Sequence, residues 1–457
     1  MYLAALPNTK DSRIKKSAIE FTGLDRRSEI ADTALASTRN MSTKAFPLLS
    51  PRASRDTHSA VTNGMALFAS TKLAVVDGTD FYYDGELVGT VTATPKSMTE
   101  ISQRIVIFPD KVSYDTISGE FSTFGAGDWY NPAGCDEGSV PDIVYTTTMN
   151  NRVWGVDGQD NICCTALGDY DDWTTFTDES TGGIRADNAW AATTGTNGAF
   201  TGIHEYKGYV MVFKEEHVWR LYGDTPKNFQ FTEVSKLGCI DNKSIVEVND
   251  ILFWLSPLGV AAYAGGFPEI VSECLNTRYV SGTAGGDGRY YYISLFDGKG
   301  YELYCYDTWK STWFREDSLH VQDFAFYDNH LYALEAPREV EAGTTDAPLC
   351  PIWQFNAGRE RVHWGFETKR FTEQYDGAKG YSELRFRADL GEGAYFEVYV
   401  KYNDGEYRQI ARYADSGLGS VQVPLRMRNC DHFQIRLEGH GEVTLHQFTR
   451  VFHYLGR

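Results

Sequence analysis

Between about residues 140 and 335 the sequence repeats one unit. An apolar strand is followed by a tight turn, a strand carrying an aromatic residue, and often a Trp or Phe before the next turn. The predicted strands Ile143–Thr147, Arg152–Val156, Ile162–Leu167 and Trp173–Phe176 make one instance. Tyr209–Phe213, His217–Tyr222 and Phe229–Val234 make the next, and Ile251–Leu255, Gly259–Tyr263 and Glu269–Ser272 the third. Arg289–Leu295, Glu302–Tyr306 and Trp313–Arg315 follow, and Val321–Leu334 begins a fifth. A unit of this size cannot bury its apolar face alone, so its neighbours must stack on it. The interval of about 40 to 60 residues is what a four-stranded propeller blade needs. Two stacked sandwiches would also turn often, but they have no reason to repeat a sequence pattern.

Earlier strands, at Gly64–Ser70, Lys72–Val76 and Phe81–Val91 with turns at Asp77-Gly78 and Asp84-Gly85, extend the series. The expectation is an all-β chain with a six- or seven-bladed β-propeller over residues 57–362. The 28 Tyr, 26 Phe, 10 Trp and 43 Gly fit many short strands joined by tight turns. Trp154, Trp219, Trp254, Trp309 and Trp313 fall on or beside the repeated strands and are read as packing between blades, with sugar stacking the other use of such rings.

The texture changes near residue 360. Leu384 and Phe386, then Phe396, Val398 and Val400, then Phe433, Ile435 and Leu437 alternate with Arg385, Arg387, Glu397, Tyr399, Gln434 and Arg436. Turns fall at Asn403-Asp404-Gly405 and Gly439-His440-Gly441. Residues 363–457 therefore predict a C-terminal antiparallel β-sandwich.

Residues 1–56 lack sustained periodicity and read as an extended N-terminal arm. One short helix is expected over 27–39, with Ser28 as cap and Ile30, Ala31, Ala34 and Leu35 on one face. Phe46-Pro47-Leu48-Leu49-Ser50-Pro51 reads as extended chain. The formal net charge is −19, yet residues 1–55 hold ten Lys/Arg against five Asp/Glu, a net of +5 that leaves −24 for the rest. A basic arm on an acidic body has a plain reading as a solvated segment. Its sharper reading is an arm that docks on an acidic neighbour, a second copy included. Arg26, Arg27, Arg39, Lys44, Arg52 and Arg55 are the candidate assembly residues. Deleting residues 1–50 is then expected to leave the propeller folded and to weaken assembly.

No catalytic signature is found: no G-x-S-x-G elbow, Walker loop, H-E-x-x-H or dinucleotide fingerprint. No catalytic, cofactor-binding or metal-ligating residue is assigned, no cofactor is expected, and the chain is read as a non-enzyme. Gly298-Lys299-Gly300 is a hairpin turn. Asp169-Tyr170-Asp171-Asp172 could offer carboxylates to a hard cation but lacks the loop pattern of an EF-hand. A β-turn explains Asp157-Gly158-Gln159-Asp160-Asn161. Glycosidases occur on propellers, so paired channel carboxylates would be telling. The Asp-box of such enzymes has no match, since Ser294-Leu295-Phe296-Asp297-Gly298 has the wrong spacing. The eight cysteines (Cys135, Cys163, Cys164, Cys239, Cys274, Cys305, Cys350 and Cys430) have no CxxC spacing and read as free thiols made in a reducing cytoplasm. No apolar run of about 18 residues exists, so no membrane span is expected.

Several phrases resemble a family. Gly23-Leu24-Asp25-Arg26-Arg27, Ser37-Thr38-Arg39-Asn40-Met41 and Phe46-Pro47-Leu48-Leu49-Ser50-Pro51-Arg52 are similar to the opening of phage virion proteins in which an arm precedes a propeller. Val218-Trp219-Arg220-Leu221-Tyr222-Gly223-Asp224, Leu237-Gly238-Cys239-Ile240, Phe253-Trp254-Leu255-Ser256-Pro257-Leu258-Gly259-Val260 and Tyr263-Ala264-Gly265-Gly266-Phe267-Pro268 resemble their blades. The family is that of the packaged-DNA stabilisation and tail-nozzle proteins of short-tailed phages. The resemblance implies a structural virion protein made in the host cytoplasm, in a homo-oligomeric ring, commonly of six. Its partners would be other neck and tail proteins, and DNA would pass through the ring without sequence-specific binding during ejection. The alternatives are a carbohydrate-binding tail-tip or surface propeller and a glycosidase on a propeller fold.

Overall fold

A computed structural model describes residues 13–124, 128–130, 137–139, 141–178, 180–337, 349–426 and 428–454; Cys135 lies outside them. Among the described residues the regular structure is β, apart from two short 3₁₀ turns. Seven four-stranded antiparallel sheets follow one another in space, so the blade number is seven. The first six take their strands in chain order: blade one from Gly64–Ala69 to Glu86–Thr90, and blade six from Ser281–Gly286 to Thr312–Asp317. The seventh combines Val321–Tyr327, His330–Glu335 and Cys350–Gly358 with Ser54–Val61 from the N-terminal side.

The blades close into a ring because each interface buries its own apolar cluster. Blades one and two share Phe81 and Ile105, two and three share Phe108 and Trp173, and three and four share Trp154 and Ile203. Met211 with Trp254, Phe253 with Tyr291, and Leu303 with Val321 fill the next three interfaces, and Leu67 with Leu334 joins blade seven to blade one. The first strand of each blade lies innermost and is stitched to its neighbour by side chains. The Thr146 N–H donates to Ser97 Oγ at 3.0 Å, the Glu205 N–H to Thr147 Oγ1 at 3.2 Å, and the Leu67 N–H to Asp323 Oδ2 at 3.1 Å.

Trp154, Trp254 and Trp313 are fully buried in these interfaces, as the repeat predicts, whereas Trp309 is 62% exposed. It sits on the turn after Tyr301–Asp307, where no neighbouring blade covers it. The fourth strand of blade three is Trp190–Thr193 and not Trp173–Phe176. The segment between forms an irregular excursion in which Trp173 packs edge-on against Phe108. The Asp169 and Asp172 carboxylates accept backbone N–H groups two and three residues on, as turn-forming Asp does.

The sandwich has two antiparallel sheets. One runs Ile14–Ala18, Val443–Tyr454, Lys379–Leu390, Gly417–Pro424. The other runs Leu35–Arg39, His363–Thr368, Phe433–His440, Tyr395–Tyr402, Arg408–Tyr413. Each sheet thus takes an edge strand from the N-terminal arm. The helix expected over 27–39 is absent, and Leu35–Arg39 is a strand paired to His363–Thr368. Its apolar residues serve a sandwich core instead of a helical face, since Leu35 packs in one cluster with Phe366, Phe386 and Phe433. Ala18, Phe21, Met41 and Leu49 of the arm belong to the same cluster.

A groove at the seam of arm, propeller and sandwich

The arm runs between blade six and the sandwich and bonds to both. The Leu24 N–H donates to Trp313 O at 2.8 Å and the Arg26 N–H to Cys274 O at 2.7 Å. Thr38 Oγ1 accepts from the Arg315 N–H at 2.8 Å. Gly23 lies so close to blade six that a Cβ there would overlap Thr312 and stand 2.7 Å from Trp313 O, and its φ of +86° suits glycine.

This path pairs four of the arm's arginines inside the chain. Arg26 donates to Glu302 at 3.0 Å and to the Tyr304 hydroxyl at 2.8 Å. Arg52 meets Glu316 and Asp317, each at 3.3 Å. Arg55 meets Glu316 at 2.5 Å and Asp317 at 2.8 Å, with its guanidinium 4.6 Å from the Phe355 ring centroid. Burial works to raise the Asp317 carboxyl, but the charges of Arg55 and Arg52 hold it below its ordinary value. Arg27 folds back on Asp25. The acidic partners of these arm cations are therefore blade six and the arm itself. Arg39 and Lys44 are exposed and make no side-chain ion pair or hydrogen bond among the described residues.

Arg39 lines a groove of about 270 Å³ on the outer face of the second sandwich sheet, together with Arg315 of blade six. Strand register builds it in three rows. Arg39 stands opposite Gly365, Gly365 opposite Glu438, and Glu438 opposite Glu397. On one side lie Glu367, Arg436 and Tyr399, and on the other His363, His440 and Tyr395. Gly365 keeps the floor open, since a Cβ there would come within 3.4 Å of Glu438 Cγ. Arg436 reaches Glu367 at 2.8 Å and Glu438 at 3.5 Å. Tyr399 donates its hydroxyl to Glu397 at 2.8 Å, and that bond pushes the phenol up to about 12. The His363 and His440 rings lie 4.4 Å apart between centroids, and Tyr395 is 6.0 Å from His440. Glu397 and Glu438 are like charges placed directly opposite across two strands, an arrangement that weakens a sheet. Local rules broken in this way mark functional positions more often than packing ones.

Sequence reasoning singled out Arg39 but not its companions. Their signal was present in the alternation, which put Glu397, Tyr399 and Arg436 on the outer face. In the propeller, Glu205 and Glu247 on the first strands of blades four and five lie close enough to feel each other's charge. Burial, then Glu205 and Asp250, raises the Glu247 carboxyl. Glu205 meanwhile accepts the Gly208 N–H at 2.7 Å and so holds the following turn.

No family model matches the sequence, and no curated protein matches it. Solved structures similar to it include exo-β-1,3-galactanase from Phanerochaete chrysosporium with galactose, at 10% identity and a TM-score of 0.27, over 72% of this chain and 99% of that one. The WD40 β-propeller domain of Doa1 is similar at 8% identity and a TM-score of 0.39, over 65% of this chain and 96% of that one. Likenesses this distant assign no activity.

Proposed function

We propose that this chain is a non-catalytic structural protein of a tailed bacteriophage, forming a ring in the neck or tail around the DNA exit channel. The observation that carries the reading is the arm, which supplies edge strands to both sandwich sheets and leads directly into the strand that closes the propeller. Two domains on one chain ordinarily move against each other. Here the sandwich strand Leu35–Arg39 and the residue after it bond to blade six, the Arg315 N–H donating to Thr38 Oγ1 and the Asn40 N–H to Glu316 O, as suits a part that must hold its shape while DNA passes. A body with a formal charge of −24 outside the arm repels phosphates, which lets a duplex slide without sticking. Native mass spectrometry and electron microscopy of the full chain test this: a closed ring is expected, and a monomer at micromolar concentration overturns it.

A second reading, a glycan-binding surface protein, is favoured by the groove, where carboxylates, arginines and a row of rings share one sheet face. Titration with soluble oligosaccharides followed by NMR tests it, and the absence of any shifted resonance would end it.

A further inference from the structure

We propose that the groove between arm, blade six and sandwich binds a saccharide that carries a carboxylate, a uronic acid being the simplest case. The inference rests on the glycan-binding reading and names the ligand class. Arg39 is an exposed guanidinium with no partner among the described residues, standing at one wall of the groove. A guanidinium presents a planar fork that matches a carboxylate through two parallel bonds. Arg315 lines the same wall, although Glu302 holds its Nε at 2.6 Å. Across the open floor at Gly365 stand Glu438 and Glu397. These accept hydrogen bonds and donate none when ionised, so they suit ligand hydroxyls. Sugar hydroxyls add donors to the pair without bringing a further charge, beside Tyr399 and Arg412 on Glu397 and Arg436 on Glu438. His363 and Tyr395 line one flank, with Arg412 stacked over the Tyr395 ring at 4.1 Å, and their remaining ring surface is open to the apolar face of a sugar.

Size sets the rest. About 270 Å³ lies just below the range of roughly 300–1,000 Å³ that encloses a drug-sized ligand. The groove therefore seats a terminal sugar and leaves the remainder of a chain in solvent. An acidic terminus places its carboxylate at Arg39 and its hydroxyls at Glu438 and Glu397.

The test is calorimetric titration of the full chain with a glucuronate-terminated disaccharide, its neutral glucose counterpart and free acetate. The acidic sugar is expected to bind at least tenfold tighter than the neutral one. Arg39→Gln should erase that difference while keeping the weak binding of the neutral sugar, and Glu438→Gln should weaken both. Both positions are exposed, so unchanged melting temperatures verify the fold. Equal affinity for the two sugars, or an Arg39→Gln variant that keeps the preference, overturns the inference and leaves glycan binding standing. Acetate binding as tightly as the acidic sugar also overturns it, in favour of a simple anion site. Binding of none of the three overturns the inference and the glycan reading together.

Discussion

The propeller takes one strand from the N-terminal side, Ser54–Val61, and the sandwich takes two, Ile14–Ala18 and Leu35–Arg39. The borrowed strands do different physical work. In the propeller, the closing strand joins the outer edge of a blade that already has three strands of its own, and much of its surface stays exposed. In the sandwich, the borrowed segments carry core residues: Ala18, Phe21, Leu35, Met41 and Leu49 pack against residues from the far end of the chain. The comparison teaches that the arm belongs structurally to the sandwich, and that a basic, aperiodic stretch can be an integral part of a core.

Deletion of residues 1–50 breaks this comparison most severely. Each of Phe21, Leu35, Met41 and Leu49 removes about 1.5–3 kcal/mol of burial, and two sheet edges open at once. The sandwich is expected to lose its cooperative unfolding while the propeller keeps its own, read by calorimetry and limited proteolysis. A sandwich that melts normally without the arm would refute its place in the core. Loss of the sandwich core is thus added to the weakened assembly expected of this deletion, with the propeller still folded.

Next in size is the buried ion pair that ties arm to sandwich. Glu373, whose side chain is fully buried, meets Arg450 at 2.5 Å and Lys16 of the arm at 2.9 Å. Breaking such a pair from one side costs about 3–5 kcal/mol, so Glu373→Gln is expected to destabilise the chain by that order in urea unfolding. Burial acts to raise the Glu373 carboxyl, but Arg450 and then Lys16 hold it below its ordinary value. A folded value depressed in this way gives stability that is complete above the unfolded value of about 4.3 and is lost as pH falls through the folded one. The wild type should therefore lose stability more steeply than Glu373→Gln below about pH 4. Equal slopes would remove Glu373 from the acid response.

Two tryptophans sharpen the propeller side. Trp313 is buried between blades five and six, where it packs 4.8 Å from Tyr306 and donates its indole N–H to Val271 O at 2.8 Å. Trp313→Ala is expected to cost about 3–5 kcal/mol. Between these extremes stands Gly23→Ala, which must push the arm away from Thr312 and Trp313 and should cost about 1–3 kcal/mol. The smallest effect belongs to Trp309→Ala, expected within about 0.5 kcal/mol because the ring is exposed. Thermal melts of the three variants give the order directly, and a large cost at Trp309 would contradict its placement on an uncovered turn.

Much of this fold was legible in the sequence. The repeat gave the propeller, because the strands of the first six blades are neighbours in sequence and turns such as Asp77-Gly78 and Asp84-Gly85 are written between them. Asp84 and Gly85 both take the positive φ that a tight hairpin asks for. Alternation gave the sandwich core, and Phe386, Val398 and Ile435 are all buried as that pattern requires. The helix expected over 27–39 failed because its spacing of apolar residues is equally served by an edge strand whose partner lies at His363–Thr368. Of the groove, Arg39 and the outward-facing Glu397 and Arg436 were visible as residues, but their convergence was not.

The sequence by itself determined that the chain is all-β, that its middle is a ring of repeated sheets, and that its C-terminal portion is a sandwich, since these follow from strand, turn and alternation patterns that are local in the sequence. Only the tertiary structure decided where the arm goes, which blade neutralises its arginines, and that Arg39 faces Glu438 across a glycine floor. Those outcomes depend on strands paired across most of the chain's length, and a pattern local in sequence carries no record of which distant edge will accept a strand.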